Sequence, residues 1–132
     1  MKEKSKTEDT DYALNQFEKA VKTLQKGVKE AKSELETDGV IKRFEYTFEL
    51  LWKTLKIVLY EQGHDCNSPK ECMKIAFRKG LINNETIFLE ILEARNLTTH
   101  TYSNSNSGRI FIRIKNYYLS EFETVLKKLK KL

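Results

Sequence analysis

Leu14, Phe17, Val21, Leu24, Val28, Ala31 and Leu35 follow one another at alternating intervals of three and four residues. That spacing puts all seven on one stripe of an α-helix, whereas a β-strand, with its period of two, would scatter them over both faces. The stripe predicts a long amphipathic helix over residues 12–35 that packs along its length on another helix. A second run, from Val40 to Gln62, repeats the pattern with Ile41, Phe44, Phe48, Leu51, Leu55 and Val58, then adds Leu50, Trp52, Ile57 and Leu59 beyond one stripe. Such a helix must be covered on more than one side, so it is either the centre of a bundle or the bearer of a subunit interface. Gly63 follows as its C-terminal cap. Phe44, Phe48 and Trp52 read as core aromatics rather than base-stacking platforms.

Ser68, Pro69 and Glu71 form a helix start, with Ser as cap, Pro in the first helical position and Glu third to answer the cap. The helix they open is short and stops at Gly80. The next begins near Asn83 or Asn84, turns Ile87, Phe88, Ile91 and Leu92 toward the core and runs on into RNLTTH. Residues 103–108, SNSNSG, read as a polar, mobile loop. Phe111, Ile114, Tyr118, Phe122, Val125 and Leu129 then mark a last helix. One proline and five glycines are too few for the turns of an all-β fold, and 132 residues suit a single domain. The expectation is an all-α, antiparallel up-and-down bundle of about five helices spanning 1–132, with residues 1–10 as a flexible tail.

No window has the long uncharged apolar run of a membrane helix, and the lysine-rich N-terminus lacks the apolar stretch of a signal peptide. A cytoplasmic protein follows, with Cys66 and Cys72 as free thiols rather than a disulfide. His64, Cys66 and Cys72 match no common zinc spacing and lack a fourth ligand, so neither a metal nor a cofactor is expected. The net charge of +5 is concentrated: Arg109 to Leu132 holds seven Lys or Arg against two Glu, which leaves residues 1–108 neutral. Attraction to phosphates would come from the last helix, mostly from KKLKKL. The same lysines equally suit a solvated helix C-terminus facing the helix dipole.

The stretch RNLTTHTY, residues 95–102, carries the chemistry. Successive helical residues turn by about 100°, so Asn96 and His100 share a face while Arg95 projects to the side. Arg95 follows Ile91 by four positions and Asn96 follows Leu92 by four, so polar groups continue an apolar stripe. They need partners, which a cleft, a second subunit, a ligand or a structural network would supply. Thr98, Thr99 and Thr101 are poor helix formers and predict fraying near His100, with Tyr102 in or beside the loop. An imidazole trades protons near neutral pH, and a guanidinium is a permanent fork-shaped cation suited to phosphate. Together they have the parts for metal-free phosphodiester cleavage: Arg95 on the scissile phosphate, His100 as general base or acid, and an RNA 2′-hydroxyl as internal nucleophile.

The pattern R-N-x-x-x-H-x-Y resembles the signature of the HEPN superfamily, helical domains associated with nucleotides and RNA, in the form found beside minimal nucleotidyltransferases. IKRFEYTFELLWKTLK, from Ile41 to Lys56, is similar to that family's characteristic helix, and SPKECMKIAFRKGLI to its next segment, so the resemblance covers nearly all of the chain after Tyr12. It implies a homodimer formed through the second and motif helices, with the two motifs facing each other so that Arg95 and His100 of both copies form one cleft. It also implies a toxin of a toxin–antitoxin pair, a metal-independent endoribonuclease whose partner nucleotidyltransferase transfers AMP to Tyr102. Asn96 would orient the His or Arg side chain. Glu45 and Glu49, on one face of the second helix, would help to position Arg95, or form a solvated surface pair. Two other readings stand beside the toxin: a non-catalytic subunit that presents a nucleotide or other substrate to a nucleotidyltransferase, and a structural helical adaptor.

Overall fold

Glu8, Asp9 and Asp11 stand in the first turn of α1 (Glu8–Glu30), where carboxylates meet the positive end of the helix dipole. The computed structural model describes residues 8–100 and 104–132, with the backbone alone at residues 99, 100 and 104–106. Glu8 to Thr10, expected in a flexible tail, are already helical, and Thr10 is buried. Helix α1 ends earlier than its stripe predicts, because a new helix, α2 (Glu34–Glu61), starts inside that stripe. Ser33 Oγ accepts from the Glu36 N–H at 3.1 Å, while Glu36 Oε1 accepts from the N–H groups of Ser33 at 3.0 Å and Lys32 at 2.8 Å. This capping box satisfies donors at the helix start, and the Lys32 and Ser33 N–H groups hold the Glu36 carboxyl below its usual range. Leu35 therefore belongs to α2, and at 81% exposure it seals nothing.

Helices α1 and α2 pack closely through small and hydroxylic residues. The buried Thr47 and Thr54 lie 2.6 and 2.7 Å from the carbonyls of Arg43 and Leu50 on their own helix, and also reach Ala20 O and Ala13 O on α1 at 3.4 and 3.3 Å. Gly27 leaves room for the Arg43 guanidinium, which donates to Thr23 O at 3.0 Å. Phe44, Phe48, Leu51, Leu55 and Leu59 are fully buried, and α2 is covered by α1 and by three later helices, so it is the centre of the bundle. Trp52 packs against this core from its edge and is partly buried.

After α2 the chain turns at Gly63, whose φ of +92° favours glycine. The His64 N–H donates to Leu59 O at 2.8 Å and the Gly63 N–H to Tyr60 O at 3.0 Å, the paired bonds of a Schellman cap. Helix α3 (Pro69–Arg78) opens on Ser68, whose side chain accepts from the Glu71 N–H at 3.2 Å. Cys66 and Cys72, expected as free thiols, form a disulfide with a Cα–Cα separation of 5.2 Å, and both are fully buried. The Ser68 cap folds the chain back so that position 66 lies against the first turn of α3, a local geometry that an argument from cellular compartment does not see.

Asn84 Oδ1 accepts from the Ile87 N–H at 3.1 Å and starts α4 (Glu85–His100), which buries Phe88, Ile91, Ala94 and Thr98. Residues 104–108, expected in a mobile loop, are instead the first turns of α5 (Asn104–Arg113). Ser and Asn are as much at home at helix starts as in loops. Helix α5 runs through a π-helical turn (Ile114–Tyr118) into α6 (Leu119–Lys130), with helical backbone at both junctions. The turn has a cause in the sequence. Ile110, Ile114, Tyr118 and Phe122 are all buried at successive intervals of four, which on a regular helix drift by ~40° per step. A wider turn, closed by the Leu119 N–H on Ile114 O, brings them back into line. Phe17, Phe44, Phe88, Tyr118 and Phe122 meet in the middle, with Tyr118 stacked on Phe44 at 5.7 Å. The result is an all-α bundle of five helices, counting α5 to α6 as one, and among the described residues no helix is long and apolar enough to cross a membrane.

Candidate functional site

Arg95 lies one turn after the fully buried Ile91, at the edge of α4's apolar face and turned toward α2. There its NH2 group donates to Glu49 Oε2 in a tight ion pair, both side chains being about 30% exposed. Glu49's other oxygen, Oε1, accepts from Trp52 Nε1 at 3.2 Å, one turn further along α2. Arg95 NH1 leans on Asn96 Oδ1 at 3.4 Å, and Arg95 Nε is buried without a hydrogen-bond partner among the described residues. Thr98 donates to the Arg95 carbonyl at 2.8 Å, so this turn of α4 is braced by its own threonine.

The two glutamates of α2 therefore part company. Glu49 meets Arg95, while Glu45 pairs with Lys42 of its own helix at 3.5 Å. Asn96 is exposed beside Leu92 and Glu93 on an open groove that Lys70 of α3 borders. Position 100 closes α4, one turn beyond Asn96 and about 140° round the helix from Arg95. The side chain of His100 and the whole of Tyr102 lie outside the described residues.

On the other flank of α4 stands a cluster that the sequence reading missed. Glu90 Oε2 accepts from Tyr118 Oη at 2.6 Å, from Arg113 Nε at 2.7 Å and from Arg113 NH2 at 2.6 Å. Arg113 also lies over the Tyr117 ring at 4.3 Å, a cation–π contact. The Tyr118 and Arg113 donors hold the Glu90 carboxyl below its ordinary range. Burial, aided by the bond to Glu90, pushes the Tyr118 phenol up to about 12. The signal was present in the sequence: a tyrosine in the middle of a core stripe must find a partner for its hydroxyl. The cluster locks α4, and with it the height of Arg95, to the π-helical turn.

Much of the C-terminal basic run is engaged in packing. Lys130 donates to Glu18 of α1 at 2.8 Å, and Lys128 to Gly80 O at 2.9 Å and to Asn83 Oδ1. These contacts tie α6 to α1 and to the α3–α4 turn, and they leave less free charge there for a phosphate backbone than the composition suggests. Among the described residues no group of three or more His, Cys, Asp or Glu is placed to hold a metal ion.

Residues 9–131 match the model of a family described as nucleotidyltransferase substrate binding protein like. A solved structure from Thermus thermophilus superposes with a TM-score of 0.80 and 37% identity, over 86% of this chain and 98% of that one. A Haemophilus influenzae protein, whose structure reveals the fold of a substrate binding domain of a nucleotidyltransferase, superposes with a TM-score of 0.69 over 92% of this chain and 96% of its own. At 24% identity that is a likeness of fold. Probable ribonuclease HepT of Haemophilus influenzae is 26% identical over 86 residues, 61% of this chain, and the chain spans 59% of that relative's length.

Proposed function

The chain belongs to the nucleotidyltransferase substrate binding protein-like family, and from that footing we propose that it is a HEPN-type toxin, a metal-independent endoribonuclease that a partner nucleotidyltransferase silences. The observation that carries this reading is the anchored Arg95: a guanidinium fixed at the α2–α4 crossing by Glu49, with His100 at the end of the same helix. The likeness to a probable ribonuclease supports it.

In this reading Arg95 binds the scissile phosphate and steadies the charge that grows on it. One His100 takes the proton of the RNA 2′-hydroxyl, whose oxygen attacks phosphorus, and a water molecule gives its proton to the departing 5′-oxygen, while the imidazolium returns its own to solvent. A 2′,3′-cyclic phosphate and a 5′-hydroxyl result. Asn96, whose Oδ1 lies 3.4 Å from Arg95 NH1, would orient the guanidinium. Positions 95 and 100 stand about 140° apart on α4, so the two groups reach one phosphate most directly when they come from two copies. A homodimer through α2 and α4 would bring them together. Exposed Tyr46 and Leu97 and partly buried Leu50, Trp52 and Leu92 on those helices support such an interface. AMP transferred to Tyr102, two residues from His100, would fill the cleft with an anion and turn RNA away.

The second reading is favoured by the description of the family itself: a subunit that holds a nucleotide or other substrate for the nucleotidyltransferase and breaks no bond. Turnover separates the two. Protein purified without its partner, with Tyr102 verified as unmodified by intact mass, is expected to cut tRNA or total RNA in excess EDTA, and Arg95→Ala and His100→Ala to leave it whole. Intact RNA with the folded parent protein would overturn the nuclease and favour the holding subunit.

A further inference from the structure

Arg95 as it stands is not ready for a phosphate. A phosphate is gripped best by two parallel N–H groups of a guanidinium. A phosphate would meet either the buried Nε or NH2, one of whose N–H groups Glu49 already holds, so it competes with Glu49 for the guanidinium. Among the described residues the buried Nε–H has no acceptor, a cost that this inward arrangement carries and that an outward swing would remove. Glu49 is itself secured, because Trp52 Nε1 donates to its second oxygen at 3.2 Å. A carboxylate left beside the guanidinium would also repel an incoming phosphodiester.

Resting on the reading that Arg95 meets RNA phosphate, we propose that Glu49, latched by Trp52, is a counter-ion gate that parks Arg95 in the α2–α4 crossing until an RNA phosphate takes the guanidinium from it. Glu49 is then a positioning residue that acts through Arg95, and its effect on binding has a definite sign. Removing its charge strengthens the hold on RNA, whereas a carboxylate that merely aimed Arg95 at the substrate would weaken that hold when lost. Trp52 is the single tryptophan of the chain, so its indole N–H gives one signal, and that signal sits on the gate.

The test measures binding of a 2′-O-methyl oligoribonucleotide, which cannot be cut, to the full chain and to Glu49→Gln, Arg95→Ala and the double variant. The expected result is binding by Glu49→Gln tighter by roughly three- to tenfold, as for relief of one like-charge contact, weaker binding by Arg95→Ala, and a double variant no better than Arg95→Ala. The parent's indole N–H resonance is expected to move, on saturation, toward its position in free Arg95→Ala, where Glu49 has likewise lost the guanidinium. Weaker or unchanged binding by Glu49→Gln, or a gain that persists without Arg95, overturns the gate while the ribonuclease reading stands. Arg95→Ala binding as well as the parent overturns both. Glu49→Asp, which shortens the reach and keeps the charge, is expected to loosen the latch and tighten binding as well, so the sign remains readable should the Gln variant unfold.

Discussion

Glu90 of α4 and Tyr118 of the π-helical turn share a 2.6 Å hydrogen bond at the point where the motif helix meets the last helix. The tyrosine's folded value is raised to about 12, above the ~10 of an unfolded chain. A raised value means stability that is fully present below about pH 10 and is lost as pH climbs toward about 12. Glu90 has a lowered value, so its contribution is present above the ordinary carboxylate range and is lost as pH falls below that range. Tyr118→Phe is expected to lower stability by about 1 kcal/mol near neutrality and to shrink the alkaline loss. Thermal midpoints measured across the alkaline range for parent and variant check both.

The Cys66–Cys72 bridge closes a loop of seven residues, counting both cysteines, and loop entropy assigns it about 2 kcal/mol. Replacing both by Ser is expected to lower the thermal midpoint and to speed amide exchange in α3 before the α1–α2 pair. Since both cysteines are fully buried, mild reductant is expected to open the bridge slowly in the folded protein. Thiol titration before and after unfolding reads this directly.

Two glycines are expected to answer an Ala substitution with opposite signs. Gly80 ends α3 with a φ of +81°, so Gly80→Ala strains the turn and costs about 1 kcal/mol. Gly39 is exposed within α2, where an added Cβ meets nothing within 4 Å. Gly39→Ala is therefore expected to stabilise by about 0.5–1 kcal/mol, through helix propensity and a stiffer unfolded chain. Chemical denaturation of each variant gives the sign.

How far the sequence could be read depends on the kind of signal. The stripes of α1 as far as Val28 and of α2, the Ser68–Pro69 start and the helix that carries Arg95, Asn96 and position 100 are local patterns, and these stand in the structure. Leu35 fell in the wrong helix because a stripe can continue in phase across a break. The Ser33–Glu36 box that marks the break was in the sequence and outweighs the periodicity. The π-helical turn was legible in the repeated interval of four, but only after Ile110 is counted as core in place of Phe111. The partners chosen by Glu49 and Glu90 were not legible. They depend on how α4 settles between α2 and the last helix, and helical spacing along one element carries no information about its rotation against another. Trp52 was legible only in part: it packs against the core as a large aromatic beside a core stripe should, but the bond of its Nε1–H to Glu49 at the stripe's edge was not foreseen.

Tyr102 is the expected point of control. With ATP and its partner nucleotidyltransferase, the chain is expected to gain the mass of one AMP, and Tyr102→Phe to gain none while still cutting RNA. Modified protein is expected to lose cleavage, since the nucleotide anion sits two residues from His100. Intact mass and a gel of the RNA, run on the same samples, check the two together.

The central claim, that RNA is cut in a cleft assembled from two copies, is tested most directly by mixing. Arg95→Ala and His100→Ala are each expected to be inactive alone. When equal amounts exchange subunits, half of the dimers carry one of each, and the shared cleft of each such dimer keeps an intact Arg95 from one copy and an intact His100 from the other. Activity is then expected to return, to at most roughly half of the parent's, the share of mixed dimers. A mixture that has exchanged subunits, as shown by mass, and is still as inactive as either variant alone would contradict the shared cleft.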